Sequence, residues 1–130
     1  MSDFITMFDI LRPSAHSITH IDFSWNSMTD EGVSQSILGE FCKKFSDFMR
    51  YSLTLQHINL SGVGFSIPTL KYLTDYGFRK SKTLLAIHMD GNFKSVGMLD
   101  QFRLWMKVVK IERDLLVDDS ASFDGGNPTS

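Results

Sequence analysis

Three segments of the chain superimpose on one spacing of apolar residues, and this internal repeat constrains the fold more than any other feature. The segments begin at Ile18, Leu55 and Leu84, so their starting points are separated by 55 − 18 = 37 and 84 − 55 = 29 residues. The second interval falls in the range of roughly 20–29 residues typical of strand–helix repeats, and the longer first interval indicates an enlarged helical segment. Apolar residues alternate within each segment, which predicts a short, half-buried β-strand. The alternating pairs are Ile21 and Phe23, Ile58 and Leu60, and Ile87 and Met89.

Helical periodicity fills the intervals between the predicted strands. The run Thr29-Asp30-Glu31-Gly32-Val33 predicts the start of the first helix, with Thr29 or Asp30 as its N-cap. Pro68 suits the first turn of the second helix, and a third helix is predicted from roughly Ser95 to Leu116. Because one unit cannot bury its own apolar face, successive units must stack. The apolar positions of the predicted helices are Ile37, Leu38, Phe41, Phe45, Phe48, Met49, Leu70, Leu73, Phe78, Leu99, Phe102, Trp105, Val109 and Leu116.

The two open ends of such a stack are expected to be covered, since solenoids need capping segments. Residues 1–13 are predicted to form an N-terminal cap, and residues 14–116 the repeat domain with a C-terminal capping helix. Residues 117–130 are rich in Asp, Ser and Gly and are predicted to form a flexible tail. The apolar positions of the N-terminal cap, at helical spacing, are Phe4, Met7, Phe8 and Leu11.

Composition excludes several classes of protein. A chain of 130 residues is one domain of ordinary size. Its 13 Lys and Arg against 15 Asp and Glu give a net charge of -2, which argues against a general nucleic-acid binder. Cys42 is the one cysteine, so no intramolecular disulfide can form, and an intracellular location, with the cytoplasm favoured, is expected. No run of apolar residues approaches the 18 or so that a membrane-spanning helix requires.

The first repeat carries a family resemblance. From Ile18 to Val33 it reads Ile-Thr-His-Ile-Asp-Phe-Ser-Trp-Asn-Ser-Met-Thr-Asp-Glu-Gly-Val, which places strand, asparagine and helix start in order. It resembles leucine-rich-repeat proteins, and more narrowly their ribonuclease-inhibitor-like class. Leu55–Val63 and Leu84–Asn92 resemble the same motif more weakly. Val63 stands where the motif has asparagine, so an asparagine ladder would be interrupted in the second repeat.

The resemblance implies a fold and a general function. The fold is α/β: a short, divergent leucine-rich-repeat solenoid of about three repeats, with a parallel concave sheet and helices on the convex side. It implies protein recognition by the concave face, with no enzymatic activity and no cofactor.

Residues between the buried strand positions point to the opposite face of the sheet. Three columns result across neighbouring strands: His20, His57 and Ala86; Asp22, Asn59 and His88; and Ser24, Ser61 and Asp90. Trp25 follows the first strand directly. This mixture of polar and aromatic side chains suits a specific protein partner. The predicted partner-binding residues are His20, Asp22, Trp25, His57, Asn59, His88 and Asp90.

The same residues offer groups for metal binding. His20 and His57 lie on adjacent predicted strands, about 4.8 Å apart, and could share a metal ion with Asp22 or His88. Their spacing matches no local metal-binding motif, so solvent-exposed histidines are the preferred interpretation and no metal site is predicted. Cys42 has a helical, apolar neighbourhood and is predicted to be buried rather than reactive. No Ser/His/Asp set, glycine-rich phosphate loop or paired-carboxylate motif stands out in the sequence.

The sequence therefore predicts a protein–protein interaction module, a scaffold or subunit of an intracellular multi-protein assembly that binds another protein or complex. A substrate-recognition adaptor or an enzyme inhibitor is the alternative that uses the same face. Three repeats lie at the lower limit for independent stability, so we expect the partner to stabilise the domain by mass action.

A further alternative is peripheral membrane or calmodulin-type binding through a basic amphipathic helix over residues 101–116. The favoured interpretation of that helix is instead that it caps the repeat domain. Its basic positions are Arg103, Lys107, Lys110 and Arg113, and its apolar positions are Phe102, Trp105, Val109 and Leu116.

Overall fold

The computed structural model describes residues 1–26, 32–112 and 114–119. Its centre is a four-stranded parallel sheet in the order β1-β2-β3-β4, which is also the order of the strands along the chain. The strands are β1 (His20–Asp22), β2 (His57–Asn59), β3 (Ala86–His88) and β4 (Leu116–Asp118). Each of the first three strands is followed by a crossover to the next parallel strand, as in a solenoid. The predicted fold class, a short α/β solenoid, is confirmed.

One face of the sheet is buried against the helices. Ile21 pairs in register with Ile58, and Ile58 with Ile87, so three β-branched side chains form one row under the sheet. All three are buried. Burial of a side chain of this size stabilises the folded state by about 1.5–3 kcal/mol, which makes this row the main determinant of strand register.

The helices follow from the predicted apolar periodicity. They are α1 (Ser2–Leu11), α2 (Gln35–Tyr51), α3 (Ile67–Leu73) and α4 (Val96–Glu112), with a 3₁₀ turn at Arg12–Ser14 and a π-helical turn at Thr74–Phe78. Pro68 lies in the first turn of α3, as predicted. Helix α2 begins later than predicted: Ser34 is its N-cap and accepts a hydrogen bond from the Ile37 amide at 3.3 Å. The alternative caps Thr29 and Asp30 lie outside the described residues.

Helix α1 packs against α2 at the N-terminal end of the core. The Phe8 ring, which is buried, stacks on Phe45 with a centroid distance of 5.2 Å and meets the edge of Phe23 at 5.9 Å. Phe4 meets Phe23 at 5.1 Å. Aromatic pairs at 4.5–7 Å add to the stabilisation that their burial provides, so α1 is an integral part of the core.

Polar side chains join successive repeats. The Thr54 hydroxyl donates to the Ile18 carbonyl at 2.8 Å, and the Thr83 hydroxyl donates to the Leu55 carbonyl at 2.6 Å. Both threonines belong to a Ser-x-Thr-Leu sequence that begins at Ser52 and recurs at Ser81, an interval of 81 − 52 = 29 residues. Each hydroxyl satisfies a backbone carbonyl of the preceding repeat, and this ties one unit to the next.

Asn92 connects the third repeat to the second through its side-chain hydrogen bonds. Its side-chain amide donates to the Leu60 carbonyl at 2.7 Å and to the Met89 carbonyl at 2.8 Å, and its Oδ1 accepts from the Gly64 amide at 2.8 Å. The expected interruption at Val63 is therefore bridged by the next repeat, because Asn92 bonds backbone groups of the second repeat. Val63 itself is buried.

The C-terminal region differs from prediction. The third helix ends at Glu112 rather than near Leu116, and Leu116 begins β4. Val117 and Asp118, assigned from sequence to a flexible tail, pair in register with Ile87 and His88. The segment lacks the apolar alternation of the first three strands, because Asp119 stands where Phe23, Leu60 and Met89 follow them, and the edge of β3 gives it a partner. Residues 120–130 of the predicted tail lie outside the described part of the chain.

Replacement of Asn92 by alanine tests its role between repeats. Asn92→Ala removes three hydrogen bonds at a residue that is 2% exposed, and of their partners the Leu60 carbonyl still accepts from the Val63 amide at 3.3 Å. We therefore expect the free energy of unfolding to fall by about 3 kcal/mol. Urea denaturation followed by circular dichroism measures the loss. Asn26→Ala is the matched control, because Asn26 is exposed and its amide donates to two neighbouring carbonyls, Phe23 at 3.2 Å and Ser24 at 3.5 Å, and we expect a loss of about 1 kcal/mol or less. Equal losses for the two variants would contradict this role for Asn92.

Candidate protein-binding face

The solvent-facing side of the sheet brings the predicted columns together. His20 lies in register with His57 and Ala86, and Asp22 lies in register with Asn59 and His88. Strand β4 extends both columns, the first by Leu116 and the second by Asp118, neither of which was predicted to contribute. Ala86 is 2% exposed because its methyl group lies between the longer side chains of His57 and Leu116.

His20 and His57 stack on one another. Their ring centroids are 4.5 Å apart and their planes differ by 7°. The Nδ1 atom of His20 is also hydrogen-bonded to the Thr19 hydroxyl at 2.9 Å. Parallel rings present their faces to each other rather than converging nitrogen atoms on one point. Within residues 1–26, 32–112 and 114–119, no group of three or more His, Cys, Asp or Glu side chains could hold a metal ion.

Asp22 is exposed at the C-terminal end of β1, and local hydrogen bonds hold it in place. Its Oδ1 accepts from the Ser24 hydroxyl and from the Ser24 amide, the latter at 2.8 Å. These two bonds, with a smaller effect from the charge of His88, lower the pKa of the Asp22 carboxyl from its ordinary value. In the same column, His88 Nδ1 lies 3.3 Å from Oδ2 of Asp118.

Trp25 occupies the turn directly after β1 in a conformation that side chains rarely adopt. Its φ is 61°, in the left-handed region. The equivalent positions of the next two repeats are Gly62 and Gly91, with φ values of 65° and 78°. Glycine adopts this conformation without cost, whereas another residue is strained by about 1–2 kcal/mol. Trp25 is therefore a large side chain at a position where the other two repeats have glycine.

The indole of Trp25 lies across those two glycines. A Cβ placed on Gly62 would overlap the ring carbons Cε3 and Cζ3, and a Cβ placed on Gly91 would lie 2.8 Å from Cη2. Nevertheless the side chain is 69% exposed. We call Trp25, Gly62 and Gly91 the tryptophan shelf. The ring rests on the backbone of two repeats and leaves a broad apolar surface open to a partner.

Asp90 adjoins this shelf. The Ser61 hydroxyl donates to Oδ1 of Asp90, and the Gly62 amide donates to the Asp90 carbonyl at 2.9 Å. On the other side, the Trp25 amide donates to the Ser61 carbonyl at 2.7 Å. Main-chain bonds thus continue beyond the strands and hold the turns in register.

The seven predicted residues consequently share one surface, although they are not equally accessible. His20, Asp22 and Trp25 are exposed, whereas His57, Asn59, His88 and Asp90 are half-buried. The two glycines of this surface, Gly62 and Gly91, were not predicted from the sequence. The signal was present in the aligned pairs Ser24-Trp25, Ser61-Gly62 and Asp90-Gly91, which place tryptophan in a glycine column.

Helix α4 does not present the predicted amphipathic surface. Phe102 and Val109 are buried in the core, Trp105 packs against it, and Leu116 is not in the helix. The exposed apolar residues of α4 are instead Val96, Leu104, Val108 and Ile111. Among its basic residues, Arg103 is paired with Asp119 at 3.0 Å. Arg113 lies outside the described residues. None of the described helices is both long and apolar enough to cross a membrane.

A second concave region lies between α1 and α2. It is a cleft of about 320 Å³ with Phe8 and Phe48 among its lining residues. Its charged side chains satisfy one another, since Lys44 pairs with Asp9 and Lys43 pairs with Asp47. This cleft offers a less distinctive recognition surface than the tryptophan shelf. Cys42 is buried nearby in α2, as predicted.

Comparison with known proteins finds structures of similar fold but assigns the chain to no family. No protein-family model matches the chain, and no curated protein sequence does. Among solved structures, the chain is similar to the C-terminal domain of tropomodulin from Caenorhabditis elegans, with a TM-score of 0.56 and 14% identity over 92% of this chain and 84% of that one. It is also similar to actin-binding site 2 of leiomodin-1, with a TM-score of 0.53 and 10% identity over 94% of this chain and 80% of that one.

These comparisons correct the resemblance drawn from sequence. The assignment to leucine-rich-repeat proteins, and more narrowly to their ribonuclease-inhibitor-like class, is wrong, because the structural similarity is to tropomodulin and leiomodin domains. The motif from Ile18 to Val33 reflects the strand and turn that any such solenoid requires, and these elements are shared beyond one class. The architecture that the resemblance implied is nonetheless the one observed.

Substitution of Gly62 tests the contact between the indole and the shelf. Gly62→Ala introduces a Cβ into the ring at a positive φ, so we expect a loss of about 1 kcal/mol for the backbone and about 1–3 kcal/mol more for the displaced ring. Gly32→Ala is the control, since Gly32 also has a positive φ of 77° but its added Cβ meets no described atom within 4 Å. In a Trp25→Ala background the Gly62 substitution should cost no more than the control. A cost that is unchanged by removal of the indole would refute the contact; urea denaturation gives all four values.

Substitution of Ser24 tests the origin of the lowered Asp22 pKa. Ser24→Ala removes the hydroxyl bond and keeps the amide bond, so we expect the Asp22 pKa to rise towards its ordinary value. Because the folded-state pKa is lowered, the stabilisation is present above the unfolded-state pKa and is lost as the pH falls through the folded-state pKa. Titration of the carboxyl carbon by NMR measures the shift, and Ser24→Thr, which keeps a hydroxyl, is the control. An unchanged Asp22 midpoint in Ser24→Ala would assign the lowered pKa to another cause.

Proposed function

We propose that this domain binds another protein through the exposed face of its sheet, with Trp25 as the anchor of the interface. The observation that carries the proposal is the tryptophan shelf. A strained, 69% exposed tryptophan stands where the other two repeats have glycine, and retained strain of this kind is typical of functional positions. Tryptophan is also among the residues that contribute most to protein–protein binding energy.

The surroundings of Trp25 support a protein partner. The stacked pair of His20 and His57, together with Asp22 and Asn59, provides hydrogen-bonding groups beside the aromatic anchor. An apolar centre with a polar rim is the usual composition of a specific interface. Backbone pairing holds these groups in fixed positions, so little conformational entropy is lost on binding.

Actin is the first partner to test. The structurally similar fragment of leiomodin-1 is described as an actin-binding site. At 10% identity this similarity supports a shared architecture, and actin binding by the present chain is our hypothesis. In the wider proposal the domain is a scaffold or subunit of an intracellular assembly that acts by binding and not by catalysis. An adaptor or inhibitor role would use the same face.

Co-sedimentation with filamentous actin tests whether actin is the partner and whether Trp25 anchors the interface. Trp25→Ala should reduce binding at least about tenfold, since loss of an anchor tryptophan commonly costs 2 kcal/mol or more. The triple variant His20→Ala, Asp22→Ala and Asn59→Ala should weaken binding as well. Tyr51→Ala is the matched control, because Tyr51 is an aromatic residue of similar exposure, 61%, on helix α2.

Three outcomes are informative. Loss of actin in Trp25→Ala but not in Tyr51→Ala, with circular dichroism unchanged, supports the whole proposal. Absence of actin binding by the wild type, with another purified partner retained in a Trp25-dependent manner, discards actin and keeps the binding face. Retention of the partner by Trp25→Ala and by the triple variant would move the interface to the helices and overturn the proposal.

A further inference from the structure

We propose that the open face of the Trp25 indole receives a cationic side chain of the partner, preferably arginine, which also pairs with the Asp90 carboxylate. This inference rests on the proposed function, because it names the chemistry that the same face recognises. A cation positioned over an indole is attracted by the negative potential of the ring face, and tryptophan is the strongest of the aromatic residues in this interaction.

The charge of the sheet face favours a cationic partner. Its strands and the turns after them comprise residues 20–25, 57–62, 86–91 and 116–119. They contain four aspartates and none of the 13 lysines and arginines of the chain. Arg103, which reaches this region from α4, is paired with Asp119. Even with Arg103 counted, the carboxylates outnumber the lysines and arginines of this face, which favours an approaching cation over an anion.

The position of Asp90 focuses this charge at the shelf. Its carboxylate accepts from Ser61, the residue directly before Gly62, and Gly62 lies beneath the indole. Asp90 also directly precedes Gly91, which lies beneath the far edge of the ring. A carboxylate offers about four acceptor sites, so the bond from Ser61 leaves capacity for a partner. The ring and the carboxylate thus form two sides of one recognition site.

The polar border of the ring distinguishes a cation from an apolar occupant. The residues that flank Trp25 in sequence are Ser24 and Asn26, and the neighbouring column ends in Ser61 and Asp90. An apolar side chain placed on the indole would leave these groups without solvent or partner, which is unfavourable. Arginine is favoured over lysine because its planar guanidinium stacks on an aromatic face while its N–H groups pair with a carboxylate.

NMR titration of the full ¹⁵N-labelled chain with model peptides tests the inference. The probe is an N-acetylated, C-amidated octapeptide of glycine and serine with two arginines, and the matched peptide has citrulline, which is neutral, at both positions. The reporters are the Trp25 indole N–H and the Gly62 and Gly91 amides. We expect all three signals to shift with the arginine peptide, at an affinity that falls as salt concentration rises.

Variants separate the two components of the site. Trp25→Leu should weaken binding of the arginine peptide about 2-fold to 30-fold, the range expected for loss of a cation–π contact, and Trp25→Phe should weaken it less. Asp90→Asn keeps an acceptor for Ser61 but removes the charge, so we expect a severalfold loss. Asp118→Asn is the control, because it removes an equal charge from the same face but lies on β4 beside His88, at 3.3 Å, and not next to Gly62 and Gly91, and it should have the smaller effect.

These experiments can contradict the cationic inference without contradicting the proposed binding face. Equal binding of arginine and citrulline peptides, or shifts that leave the shelf signals unchanged, would overturn the cationic inference. Equal weakening by Asp90→Asn and Asp118→Asn would overturn the pairing with Asp90. In each of these cases, a protein partner that is still lost from Trp25→Ala would leave the binding face itself intact.

Discussion

The row of Ile21, Ile58 and Ile87 beneath the parallel sheet is the constraint on which the other features depend. Strands of three residues have few hydrogen bonds of their own, so the buried side chains must select the register. A slip of one residue would turn the isoleucines to solvent and the polar columns to the core. The same register extends past the strands through bonds such as that from the Trp25 amide to the Ser61 carbonyl at 2.7 Å. The indole meets Gly62 and Gly91 only because these turns stay aligned.

The turns that follow the strands adopt the same left-handed backbone conformation with two different kinds of residue. After β1, β2 and β3 the chain leaves the sheet through a residue of positive φ, and two of these residues are glycines while the third is Trp25. Glycine relieves the strain at its own position, and its missing side chain makes room for the indole of the first repeat. The strained residue and the two unstrained ones are therefore parts of one arrangement, in which the strain at Trp25 is offset by contact with the two neighbouring turns.

Much of this architecture could be predicted from the sequence, because period-2 alternation in Ile21/Phe23, Ile58/Leu60 and Ile87/Met89 records the burial that defines the strands. The same alternation placed His20 beside His57 and Asp22 beside Asn59. Strand β4 could not be recognised, since its pairing depends on the edge of β3 and not on its own pattern. The family assignment was wrong because strand and turn chemistry are common to many solenoids. The role of Asn92 in the second repeat also escaped prediction, as it depends on contacts between residues 28 or more positions apart.

The small size of the sheet argues that the strands alone are not the whole interface. Four strands at spacings of about 4.8 Å and three residues at about 3.3 Å each outline a face of roughly 150 Å². A standard specific interface buries about 800 Å² on each partner, so a protein that binds this face must also contact the surrounding turns. The turn after β1 carries the largest exposed side chain at this border, Trp25, supported by the turns of the next two repeats. Because that support is main chain, the indole remains in place without a partner, and a preformed anchor of this kind reduces the entropic cost of association.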